Sequence, residues 1–209
     1  MTKRKLCALL VVLGGFWFLS ANVFASDVPD DPIYFVANNR WMGLFAHNDE
    51  YAEFSFPRDN EVKLQDAYHI SLRQGLGMIV TFADKKEFGE GANLLGDHAR
   101  WELNYWRSHA DRVDTVTRDD LSGTRQDLRI TEMRLHKNSG ERMTVYIIGL
   151  TSKDGVFVLS ISPGDQDTGA LVKEIARSFT LVPRRLSPEE LAGLAKAAKS
   201  GAIPQAAAQ

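Results

Sequence analysis

The sequence predicts an α+β domain, an antiparallel β-sheet of hairpins and a meander covered by helices. Three observations point there. Apolar runs come in pairs around short turn signals, two later runs are apolar at both parities, and three segments carry helical signals instead. A strand apolar on both sides lies inside a sheet that is covered on both sides.

Residues 1–25 precede that domain. Lys3, Arg4 and Lys5 are followed by an apolar run to about Leu19 and by Val23-Phe24-Ala25, the pattern of a secretory signal cut after Ala25. Gly14, Gly15, Ser20 and Asn22 interrupt the run and argue against its retention as an anchor, the alternative for a segment of this length. The expected location is therefore periplasmic or secreted, with the membrane met only in transit. Cys7 is the only cysteine and lies at the start of the apolar run, where it cannot become a lipid-bearing first residue. Without it the mature chain has no disulfide, thiolate nucleophile or cysteine-ligated metal. Cleavage also leaves 22 basic against 27 acidic residues, a net charge of −5, which argues against nucleic acid as a partner.

Residues 26–40 read as a lead-in whose first part, 26–32, is acidic and proline-bearing; the globular domain is expected over 41–183. Residues 41–47 and 51–56 flank Asn48-Asp49, a two-residue turn. A second hairpin joins 67–73 to 77–82 across Gln74, Gly75 and Leu76. A long helix is expected over 93–112. Residues 128–136 and 143–150 flank Asn138-Ser139-Gly140, and 156–162 follow the turn Ser152 to Gly155. Segments 143–148 and 156–159 are the doubly apolar ones, and their cover is expected to come from helices.

A second helix is expected over 168–179, with Asp167 as N-cap and Leu171, Val172, Ile175 and Phe179 facing inward. A third starts at Ser187, where Ser187, Pro188 and Glu190 form a capping box with a first-turn proline; it closes the segment 184–200. Residues 201–209 are too poor in large apolar side chains to fold alone.

This order of hairpins, a tryptophan-bearing helix, a strand meander and a last helix ending in Arg177-Ser178-Phe179-Thr180-Leu181 resembles the PsbP/DcrB-like α/β/α sandwich family. The resemblance covers about residues 41–183 and implies an antiparallel sheet between helices. Members are mostly accessory or binding proteins without a shared catalytic site, so it supplies no catalytic residues.

The long helix holds the candidate site. At 100° per residue, Leu94, Trp101 and Tyr105 form one apolar flank, and Leu95, Ala99, Leu103, Trp106, Ala110 and Val113 the other. Asp97, Arg100, Asn104, Arg107, Ser108 and Asp111 gather on the back. His98, Glu102 and His109 fall between the flanks, where desolvation displaces a pKa. His98 and His109 are roughly 16 Å apart along the axis and cannot share a metal ion. His98 and Glu102 are one turn apart, able to share an ion or bond each other, but His47, His69 and His136 are too scattered to supply a clear third ligand. The ordinary expectation is that both pair with backbone or arginine. Trp101, Tyr105 and Trp106 either line an apolar ligand pocket or, as aromatics at this spacing more often do, join the core with Trp41, Phe54 and Phe56.

Other motifs are weaker. Gly89-Glu90-Gly91 matches no phosphate-binding fingerprint, no G-x-S-x-G elbow occurs, and Asp119-Asp120 and Asp165/Asp167 read first as turns. No cofactor or catalytic residue is expected. The chain is read as an exported, non-catalytic binding or accessory protein of the cell envelope, docking an envelope protein through the helix of Leu191, Leu194, Ala195 and Ala198 and the tail that follows, unless that helix packs back on its own domain. The alternatives are a small apolar ligand held between the long helix and the sheet, and a metal-dependent enzyme using His98 and Glu102.

Overall fold

The computed structural model describes residues 31–58, 62–72, 76–88, 91, 93–162, 168–184 and 186–200. The expected signal, the tail 201–209, Gly89-Glu90 and Asp165/Asp167 lie outside these residues. In chain order the elements are β1 (Ile33–Ala37), β2 (Arg40–His47), β3 (Glu50–Pro57), β4 (Val62–Leu64), β5 (His69–Leu72), β6 (Gly77–Asp84), α1 (Lys85–Phe88), α2 (Leu94–Arg107), β7 (Arg112–Thr117) and α3 (Asp119–Ser122). There follow β8 (Leu128–His136), β9 (Arg142–Thr151), β10 (Gly155–Ser162), α4 (Gly169–Ser178), β11 (Thr180–Leu181) and α5 (Pro188–Ser200). The chain is an α+β protein with two antiparallel sheets, ordered β1-β2-β3-β11 and β4-β5-β6-β10-β9-β8-β7.

The first sheet begins earlier than the lead-in boundary at residue 40 implies. Asn38 and Asn39, both at positive φ (50° and 58°), make a two-residue turn that folds β1 onto β2. Asparagine tolerates this left-handed backbone, and paired positive φ matches the twist of a hairpin. Asn48 (φ 54°) opens the next turn, at the place expected from the sequence. Alternation then splits the sheet. Phe45, Phe54 and Phe56 face the main core, while Leu44, Ala46 and Tyr51 face outward. Gly43 pairs with Phe54, whose ring lies over it: a Cβ at Gly43 would sit 2.3 Å from the ring.

The doubly apolar strands are central, as their pattern requires, but helices supply only part of their cover. Phe157, Leu159 and Ile161 of β10 point into the main core against the first sheet, and Val156 and Val158 point the other way, toward α2. Phe157 meets Phe45 edge-to-face at 5.4 Å, joining the two sheets directly. The expectation of an all-helical cover fails because the inward aromatic row of β2 and β3 already forms an apolar face of the right size. Helix α4 completes this core with Val172, Ile175, Ala176 and the following Phe179.

The Ser-Phe ending has a visible job. Ser178 Oγ accepts from the Ser55 N–H (2.8 Å), tying α4 to β3, while Phe179 meets Phe54 edge-to-face at 6.2 Å. Arg125 donates from Nη1 to the carbonyls of Ala176 (3.1 Å) and Phe179 (2.6 Å), and Asp127 holds its other nitrogens. A cation on the last carbonyls of a helix satisfies otherwise orphaned acceptors. Arg125→Ala is expected to lower stability by about 1–2 kcal/mol, seen as a lower urea midpoint at unchanged slope.

Two helices depart from expectation. The long helix stops at Arg107 rather than continuing to 112, and the β-branched residues of 112–117 form β7 at the edge of the larger sheet. At α5 the capping box is present: Glu190 N–H donates to Ser187 Oγ (3.2 Å), and Ser187 N–H to the Glu190 carboxylate (2.8 Å). Arg184 pairs with the same carboxylate and holds its pKa low, at about 2. However, the apolar face assigned to a partner is already used. Leu191 is buried on Leu44, Ala46 and Tyr51, with Leu194 packed beside it, because the first sheet's outer face needs a cover of its own. Ala198's side chain lies outside the described residues. No helix among the described residues is long and apolar enough to cross a membrane.

Candidate functional site

Helix α2 lies on the larger sheet. Asn93 caps it by accepting from the Gly96 N–H (3.0 Å), and Asp97 in the first turn suits the positive helix end. Its start can approach closely because β9 has Gly149 there; a Cβ at Gly149 would stand 3.2 Å from Leu95. Arg100, Asn104 and Arg107 face solvent, as the spacing predicts.

Turned toward the sheet, on three successive turns, are His98, Glu102 and Trp106, exposed by only 3%, 8% and 4%. They sit over an otherwise apolar layer that includes Ala83, Met133, Val145, Val156 and Val158. Trp106 is thus a core residue. Trp101 and Tyr105 are half-buried, and the Trp101 ring stacks on His98 with centroids 6.0 Å apart. Phe88 of α1 also meets His98, edge-to-face at 5.5 Å. Phe88 was not singled out from the sequence, since a single phenylalanine before a glycine loop carries no periodic signal. His109 is not part of the group. The helix has ended before it, and its ring packs on Tyr105 (4.3 Å) in an exposed turn.

Among the described residues the expected pairing with backbone or arginine is not found for His98 Nε2 or the Glu102 carboxyl. His98 Nε2 lies 3.5 Å from Glu102 Oε1, too long for a hydrogen bond, and has no hydrogen-bond partner among the described residues. Trp106 Nε1 is likewise buried without a well-formed hydrogen bond, although its contact with Glu102 works against the effect of burial on that carboxyl. Burial pushes the Glu102 carboxyl up to about 7 and the His98 imidazole down to about 4. Burial thus favours the uncharged form of both groups, the neutral imidazole of His98 and the protonated carboxyl of Glu102. The contact has the distance of an ion pair without being one.

A second buried glutamate shows the opposite solution. Glu132 of β8, 3% exposed, receives Arg134 at 2.6 Å and a close contact from Arg118. Burial alone would raise its pKa, but the two guanidinium groups outweigh that and hold it below the ordinary value. The strand pattern gave no sign of this, because Arg118 reaches Glu132 only across the β7–β8 pairing.

The remaining histidines each have other neighbours. His47 stacks on Phe82, His69 pairs with Asp66 at 2.7 Å, and His136 approaches Asp114 at 3.2 Å. Among the described residues no group of three metal-ligating side chains forms. Asp120 is bound to Arg118, not arranged with Asp119 around a reacting bond. No protein-family model matches this chain, and no curated protein sequence matches it.

Proposed function

We propose that this chain is an exported, non-catalytic binding protein of the cell envelope, of PsbP/DcrB-like architecture, whose ligand is held beneath α2 by His98, Glu102 and Trp106 with Trp101 and Tyr105 at the rim. One observation carries the reading: among the described residues His98 Nε2 is buried without a hydrogen-bond partner and Trp106 Nε1 has only an ill-formed contact with Glu102, and both lie beside that buried carboxyl with aromatic rings packed on the imidazole. Each such atom costs about 1–3 kcal/mol when left unpaired. Gathering them in one place favours an occupant that satisfies them.

Tryptophan fluorescence against a panel of small metabolites and lipids tests this, since Trp101 and Trp106 lie at the proposed site and Trp41 packs against the main core. A saturable change that disappears in Trp106→Phe is expected; a flat response across the panel overturns the reading. A second reading, docking onto an envelope protein, is favoured by the open edge of β7, where Val116 is 43% exposed. Under that reading a pull-down partner is lost when a charged residue replaces Val116.

A further inference from the structure

Among the described residues the two sheets have four edges, and three of them are blunted. β4 has three residues and an exposed lysine, Lys63; β11 has two residues; and β1 packs against α5. β7 differs. It is six residues long, without proline, glycine or lysine, and is paired on one side only, to β8. Its outer side can therefore take another strand. Arg118 N–H donates to the Ile130 carbonyl (2.9 Å), so by the alternation of an antiparallel ladder residues 112, 114 and 116 also bond β8. The N–H and C=O groups of Val113, Thr115 and Thr117 then point away from the sheet.

The side chains on one face of this edge alternate in charge about an apolar centre. Arg112, Asp114 and Val116 share that face, and Arg118 joins them, since its guanidinium reaches Glu132, the residue paired with Val116. Val116 is the one exposed large hydrophobic side chain among the described residues. Asp114 pairs with Arg112 at 2.9 Å, yet its side chain stays 40% exposed, and a carboxylate can accept further donors. Arg118 donates to Asp120 and Glu132 and has N–H groups to spare.

Such a strand is complementary to its own reverse. Antiparallel pairing about a two-fold axis at Val116 sets Val116 against Val116 of the partner subunit and Asp114 against Arg118 of the partner subunit. Thr115 then exchanges backbone bonds with Thr117 of the partner subunit. The neighbouring registers are worse. An axis at Asp114 opposes two carboxylates, and an axis at Thr115 opposes Arg112 to Arg118 of the partner subunit; like charges facing each other across strands destabilise. We propose that the β7 edges of two copies of this chain pair antiparallel about Val116, joining their larger sheets into one. This surface is separate from the ligand site under α2, and the pairing gives the β7 edge to a second copy where the docking reading gives it to an envelope protein.

Analytical ultracentrifugation of the purified chain tests this, at concentrations up to ~500 µM because pairing through one short strand lies at the small, weak end of specific interfaces. A monomer–dimer equilibrium is expected. Thr115→Pro should weaken it at least ~10-fold, since the N–H it removes lies on the outer side and costs β8 no bond. Circular dichroism checks that this variant folds. In a Cys7→Ser background, Val116→Cys should form an intermolecular disulfide, because a facing pair without mutual backbone bonds brings its Cα atoms to ~4.5 Å, within disulfide reach. Thr117→Cys, set opposite Thr115 of the partner subunit, should not, and this contrast decides alone if Thr115→Pro does not fold. A chain that stays monomeric throughout, a dimer indifferent to Thr115→Pro, or equal cross-linking by Val116→Cys and Thr117→Cys overturns the proposal. None of these results touches the ligand site, and a monomer that still loses its pull-down partner when Val116 is replaced by a charge leaves edge docking standing.

Discussion

Replacing His98 with glutamine is expected to make stability fall as pH rises from 4.5 to about 7, while Glu102→Gln makes it rise from about pH 4 to 6.5. In the unfolded chain between 4.5 and 6.5, the imidazole holds a proton and the carboxyl has lost its own. In the folded protein the carboxyl keeps a proton and the imidazole lacks one. Both states then carry one proton on the pair, so folding neither takes up nor releases any, and the pair adds no slope. Removing His98 leaves a group that binds more protons folded than unfolded, so stability is lost as pH rises. Removing Glu102 leaves the reverse. Each slope approaches about 1.4 kcal/mol per pH unit, or roughly 3 kcal/mol over the window. Urea midpoints measured every half unit of pH, taken as differences from the parent protein, read the effect. Two variants with the same flat difference would mean that the pair is not held neutral.

Truncating Phe157 to alanine is expected to cost about 3–5 kcal/mol, the range for a fully buried aromatic whose site cannot collapse. The ring has no solvent exposure and meets Phe45 of the first sheet at 5.4 Å and Phe82 of its own sheet at 5.0 Å. The backbone around it is held by antiparallel pairing on both sides, to β6 and to β9, so little can move in to fill the gap. Val116→Ala, at the exposed edge, should change stability by no more than about 0.5 kcal/mol and serves as the control. Thermal or urea unfolding of both variants decides it. A loss below about 1.5 kcal/mol for Phe157→Ala would show that the two sheets are not packed through this ring.

Where structure depends on neighbours in the chain, the amino-acid sequence was readable. The turn at Asn48, the paired strands around it, the strands of 128–162 and the capping box at Ser187 all rest on contacts within a few residues. β1 was hidden by the proline-rich lead-in next to it, although Ile33–Ala37 is apolar. β7 was hidden because Val113 extends the helical period of α2, and its strand partner arrives only after α3. The placement of His98 and Glu102 on one line followed from 100° per residue. That His109 left the line did not, because the helix end was set by the start of β7.

What the sequence alone determined was periodicity: which residues share a face, where turns fall, and that a polar line crosses an aromatic helix. Only the tertiary structure decided what each face meets. It set a second sheet against Phe157, returned Leu191 to its own domain, and, among the described residues, gave two arginines to Glu132 but none to Glu102. The reason is physical: burial and charge compensation depend on partners distant in sequence, and a residue's own period says that it is covered without saying by what.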